Sequence, residues 1–150
     1  MISSPAITFE PVTEANREEC ELLRVATFQR EFVPDNRSSI DLAMKYPAAK
    51  PILVRNIDRQ AVGFALLGID ETTGDWKIFR LMVDEAFQGR GYGRSILREM
   101  IECLRSEHRA SKILVVYHAP NVVARQLYAA EGFIEYGRID GKELAKIDRG

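Results

Sequence analysis

Gln88-Gly89-Arg90-Gly91-Tyr92-Gly93 lies between a β-type run, residues 76–83, and a strongly helical one, residues 94–107. A glycine turn that joins a strand to a helix is built to hold an anion. Glycine accepts positive φ and carries no Cβ to keep a ligand from the backbone. The first turn of the helix that follows offers unpaired N–H groups and the positive end of its dipole, which together bind phosphate.

Spacing narrows the choice of phosphate ligand. A dinucleotide fingerprint counted from Gly89 needs its last glycine where Arg94 stands, and a Walker loop needs Ser or Thr after Gly-Lys, whereas Gly141-Lys142 is followed by Glu143. What remains is Gln-x-x-Gly-x-Gly at Gln88, Gly91 and Gly93. A second segment, Asn121-Val122-Val123-Ala124-Arg125-Gln126-Leu127-Tyr128-Ala129-Ala130-Glu131-Gly132-Phe133, reads as a helix with a glycine stop. Asn121 after Pro120 suits an N-cap. Tyr128 either packs beside Leu127 or serves as a proton donor, since a phenol with pKa near ~10 stays protonated at neutral pH.

The loop resembles the acyl-CoA pyrophosphate loop of the GNAT N-acetyltransferases, and the second segment resembles the family's other signature. The resemblance runs from Ile7 to Ile147. It is most specific over residues 75–93, where Phe79-Arg80-Leu81-Met82-Val83-Asp84 is particularly similar to bacterial spermine/spermidine acetyltransferases. It implies acetyl-CoA as cosubstrate and direct transfer to a small primary amine, a polyamine first. Another amine (an amino acid, an antibiotic, a protein N-terminus) or a degenerate acyl-CoA-binding module stands as the alternative. It further implies that Leu81, Met82, Val83, Gln88, Gly89, Arg90, Gly91, Tyr92, Gly93, Arg94 and Asn121 bind CoA and that Tyr128 is the general acid. Leu81 to Val83 are otherwise plain strand core, and Arg90 and Arg94 plain surface charges. The expected fold is α/β, a single GNAT-type domain over residues 1–150, with a mixed, mostly antiparallel sheet of about seven strands flanked by helices. Its central parallel strand pair is splayed, and a homodimer is common in the family.

The general base is not legible. Many family members carry a Glu on the fourth strand a few residues before the position of Val83, where this chain has Ile78, Phe79 and Arg80. Glu31, Asp35, Asp75 and His118 acting through water are the candidates elsewhere, each singly a surface group. Glu31, Asp35 and Asp75 are also the expected readers of a cationic acceptor, alongside Asp41, Asp70 and Glu71. His108 is expected to be structural.

Composition bounds the rest. With 150 residues, 46% apolar and a net charge of −1, the chain fits one soluble globular domain without the basic field that nucleic acid requires. Met1-Ile2-Ser3-Ser4-Pro5 does not open a secretory leader, and no apolar run reaches the ~20 residues of a membrane span, so a cytoplasmic protein is expected. Cys20 and Cys103 lack metal or redox spacing and read as buried free thiols; no metal site is expected. Strands are expected at 7–10, 52–55, 61–69, 76–83, 113–117, 133–139 and 144–148. Helices are expected from a capping box at Asn16 and Glu19, from Ser38 through Met44 with Pro47 and Pro51 beyond, at 94–107 and at 122–131.

Overall fold

The computed structural model describes residues 4–46 and 48–148. Pro47 and the first residues Met1, Ile2 and Ser3, on which part of the expectation rested, lie outside them. The chain runs β1 (Ile7–Pro11), α1 (Arg17–Glu21), a 3-10 turn (Thr27–Gln29), α2 (Asn36–Ala43), β2 (Lys50–Asn56), β3 (Ala61–Ile69), β4 (Trp76–Val83), a second 3-10 turn (Glu85–Phe87), α3 (Tyr92–His108), β5 (Lys112–His118), α4 (Val122–Ala130), β6 (Ile134–Ile139) and β7 (Lys142–Asp148). The strands form one seven-stranded sheet in the order β1-β2-β3-β4-β5-β7-β6. β4 and β5 pair in parallel and the other neighbours antiparallel. This is the α/β architecture the sequence implied.

α3 shows why the sheet is covered as it is. Ile96, Leu97, Met100, Ile101 and Leu104 recur on one helical face and are all buried against Val62, Ala65, Ile78, Ile113 and Val115. Each such side chain contributes about 1.5–3 kcal/mol by leaving water. The opposite face of the sheet is closed by α1 and α2, where Cys20, Leu23, Ile40 and Ala43 pack on Leu53, Phe64, Leu66 and Met82.

The two helix starts of that layer differ from expectation. Asn16 does not cap α1. Its Oδ1 accepts from the Thr13 amide at 2.7 Å, and Glu19 reaches Arg55 instead of closing a capping box. The helix stops at Glu21 and leaves Leu22 exposed. α2 is capped by Asp35, whose Oδ1 accepts from the Ser38 amide at 2.8 Å, so Ser38 lies inside the helix. In α1 the side chains found an earlier and a tertiary partner, and in α2 the cap falls on Asp35, three residues before the Ser38 that spacing suggested.

Two irregularities of β4 matter for function. Arg80 faces Leu66 and Ile78 faces Leu67, so Phe79 is an extra residue, a β-bulge. Because Ile78, Leu81 and Val83 pack towards α3 while Phe79 and Met82 pack towards α1 and α2, the bulge turns Phe79 and Arg80 to the same α1/α2 face. On its other edge β4 pairs with β5 only at Trp76, Lys77 and Ile78. Beyond Ile78 the two strands part.

Candidate active site

The parted strands open a wedge, and the glycine loop closes one side of it. Gly89 and Gly91 have φ of 78° and 88°, so the turn needs a residue without Cβ strain at both places. Gly91 is the N-cap of α3, and among the described residues no side chain caps that end. The first helical bond runs from the Ser95 amide to the Gly91 carbonyl, leaving the preceding amides of the first turn outside the ladder. At Gly89 an added Cβ would meet nothing within 4 Å among the described residues, so the backbone there is open to a ligand.

A cleft of about 330 Å³ begins there and brings together Leu81, Met82, Val83, Gln88, Gly89, Gly91, Tyr92, Gly93, Asn121 and Tyr128. Backbone amide donors at one end and the apolar side chains of Val25, Phe28, Val83 and Leu127 along the walls suit a molecule that is a phosphate at one end and a thin apolar arm at the other. Arg90 and Arg94 stand outside the lining. The Arg90 guanidinium lies 5.5 Å from the Phe87 ring centroid, and Arg94 Nε donates to Glu131 at 3.1 Å. Gln88 Nε2 donates to the Val83 carbonyl and to Gln29 Oε1, both at 2.9 Å, which ties the loop to the end of β4. Gln29 and Phe28 were missed from sequence, because residues 28–36 carry no clean period.

Tyr128 sits at the inner end of this cleft, 5% exposed, with its ring 5.5 Å from both Tyr117 and Phe133. Burial, with Tyr117 adding to it, pushes its phenol above the ordinary tyrosine value. The Tyr117 phenol is pushed up to about 12, first by burial and then by its hydrogen bond to Glu135. Asn121 caps α4, its Oδ1 accepting from the Ala124 amide at 3.2 Å, and is buried in the lining of the cleft.

A second cleft adjoins the first and shares Val33, Leu81, Asn121, Ala124 and Tyr128 with it. The remaining wall consists of Phe32, Pro34, Phe79, Arg80, Val116, Tyr117, His118 and Lys142. Two compartments that meet at Tyr128 can hold two molecules on either side of one phenol.

The acidic candidates do not gather here. Asp35 caps α2 and faces a separate depression beside Arg24 and Arg30, its carboxyl held below the ordinary value chiefly by the Ser38 amide. Glu31 is exposed, and Asp75 lies in the turn before β4. His118 does line the second cleft, whereas His108 stacks on Trp76 at 4.6 Å, as a structural residue would. Among the described residues no cluster of His, Cys, Asp and Glu is arranged to hold a metal, and no helix is long and apolar enough to cross a membrane.

The family model described as "Acetyltransferase (GNAT) family" matches residues 12–133. The chain is 26% identical over 141 residues to the spermine/spermidine N(1)-acetyltransferase of Bacillus subtilis strain 168, covering 90% of this chain and 92% of that protein. Its fold is similar to that of the spermidine N-acetyltransferase from Vibrio cholerae in complex with CoA and spermine, with a TM-score of 0.75, 16% identity and 95% of each chain covered. A dodecameric structure of spermidine N-acetyltransferase from Vibrio cholerae is similar as well, with a TM-score of 0.71, 16% identity and coverage of 95% and 94%.

Proposed function

The chain belongs to the GNAT acetyltransferase family, an acetyl-CoA-dependent class of enzyme, and from that premise we propose that it transfers acetyl to a small primary amine by direct attack in a ternary complex. The observation that carries this reading is the meeting of the glycine-loop cleft and the second cleft at Tyr128. Acetyl-CoA supplies the thioester. The loop amides and Gln88, Gly89, Gly91 and Gly93 hold its pyrophosphate end, and the unpaired edge of β4 over Leu81, Met82 and Val83 lines the arm. Amine nitrogen forms the new C–N bond as the C–S bond breaks. Tyr128 gives its proton to the departing thiolate, and the proton shed by nitrogen returns to the phenolate through solvent. Tyr92 and Asn121 shape the cleft, and Arg90 and Arg94 act as outlying charges that swing to phosphate.

The acceptors to test first are spermidine and spermine, because the named relatives act on them. Under that reading Glu31, Asp35 and Asp75 meet the outer ammonium groups from beyond the cleft. Changing each in turn to Gln or Asn should raise KM for spermidine more than for a monoamine of similar length, and the difference should shrink with salt, since exposed pairs are screened over about 8–10 Å. Asp35→Asn keeps an N-cap-competent side chain, so it isolates the charge from the fold. Equal changes for both amines would remove these acids from acceptor recognition. One observation favours a second acceptor class: no carboxylate is found in the lining of the second cleft among the described residues. An amine that is not a polycation fits that wall better.

The reaction is read out as CoA thiol released from acetyl-CoA across polyamines, amino acids and aminoglycosides. No thiol release with any amine, beside intact CoA binding, would leave an acyl-CoA-binding module. We also propose a cytoplasmic enzyme that self-associates at least as a homodimer. Support comes from edge strand β6, where Ile134, Tyr136 and Ile139 are exposed. Sedimentation at micromolar concentration distinguishes monomer from dimer or larger ring.

A further inference from the structure

We infer that the second cleft is an anion site built on Arg80 and that the acceptor it selects is a small α-amino acid with an apolar side chain, bound by its carboxylate. The inference takes from the acetyltransferase reading only which compartment faces the amine; the charge of the wall is a property of the fold. Three cation-forming side chains, Arg80, His118 and Lys142, line this cleft, and none of the ion pairs among the described residues includes any of them.

Their placement follows from the backbone. The Phe79 bulge turns Arg80 onto the α1/α2 face of β4. His118 and Lys142 are directly opposed residues of β5 and β7, so their side chains leave the same face. The Phe32 and His118 rings, 6.3 Å apart, place that face against the loop that follows the first 3-10 turn. The three side chains therefore converge across the wedge.

Arg80 is the unusual member. Its Nη1 donates to the Phe79 carbonyl at 2.7 Å, while its Nε is buried and has no hydrogen-bond partner among the described residues. A guanidinium carries five donors in a planar fork and is costly to desolvate unless they are met, and a carboxylate meets them two at a time. A polycation offers nothing to such a wall and is repelled by it. Phe32, Val33, Pro34, Phe79 and Val116 supply an apolar stretch of the same lining that suits a short aliphatic side chain. Because an α-amino acid carries its amine one carbon from its carboxylate, fixing the carboxylate on Arg80 sets the direction of the nitrogen.

The test compares leucine and methionine with leucinamide and methioninamide, which keep the amine and the side chain and lose the charge, and with spermidine. kcat/KM is measured from thiol release with saturating acetyl-CoA for the wild type, Arg80→Gln and Arg80→Lys. The acids should exceed their amides by about tenfold or more, as a charge-assisted pair of hydrogen bonds does. Arg80→Gln should erase that ratio by lowering only the acid's value, and Arg80→Lys should restore part of it. Equal acid and amide values, or a spermidine preference that Arg80→Gln leaves untouched, would overturn the inference while the acetyltransferase reading stands. A second readout needs no turnover: N-acetylleucine should raise the melting temperature of the wild type and not that of Arg80→Gln, with N-acetylleucinamide inert on both. Acid-specific stabilisation without turnover of any amine would keep the anion site and remove the acetyltransferase reading. Stabilisation by neither compound in the wild type counts against the site.

Discussion

Gly91→Glu is expected to abolish CoA binding while the chain still folds. Gly91 is the N-cap of α3 with φ of 88°, and a Cβ there would lie 3.2 Å from the Pro5 ring. The glutamate brings three separate changes: a backbone conformation costly to an L residue by about 1–2 kcal/mol, a tight contact with a residue near the chain start, and a carboxylate at the mouth of a phosphate-binding turn. Only the third is specific to the ligand. Gly91→Ala carries the first two and so serves as the reference. Against it, Gly91→Glu should weaken CoA at least ~100-fold by calorimetric titration, equivalent to about 2.8 kcal/mol, because two like charges then share a site built for one. Thermal unfolding of the two variants should agree within a few degrees. A folded Gly91→Glu protein that binds CoA as tightly as Gly91→Ala would place the pyrophosphate elsewhere, and the reading of the loop would fall with it.

Why the loop was legible in the sequence, and the acceptor wall was not, comes down to the range of the forces involved. Glycine at positions 89 and 91 is dictated by the local backbone, and the helix after it declares itself through five apolar residues at helical spacing, so both can be read from neighbours in the chain. β4 was readable to its bounds for the same reason. The Phe79 bulge was not: it exists only as a register shift against Leu66 and Leu67 on β3, and without it the alternation of β4 would aim Arg80 at the α3 layer. Expecting a carboxylate base on this strand therefore exposed a gap in the pattern without revealing what Arg80 does. Asp35 carries a structural role that its spacing did not show. A charge placed near the acceptor segment invites a binding role, yet the Ser38 amide uses one of its oxygens, a partner three residues away that only the observed start of α2 identifies.

Tyr128→Phe should lower kcat by roughly ten- to a thousandfold, the range of a general acid, with CoA affinity unchanged. The substitution removes one oxygen from a ring already packed between Tyr117 and Phe133, so the hydrophobic contacts that hold α4 against β5 survive it. Stability should change little for that reason. The pH dependence gives a second check. Burial disfavours the phenolate and raises the folded value above the usual ~10, so the phenol keeps its proton throughout pH 6–9 and contributes no alkaline fall in kcat there. The wild type and Tyr128→Phe should then share the shape of their pH profiles and differ only in height. A high pKa also makes the bare phenol a reluctant acid; in the proposed role the proton moves because a thiolate forms beside it in a site of low dielectric, where leaving that charge unprotonated costs more. Full kcat in Tyr128→Phe would return the residue to packing, whereas a profile whose alkaline limb vanished with the hydroxyl would mean that the phenol titrates in the working range and that its burial is relieved when acetyl-CoA binds.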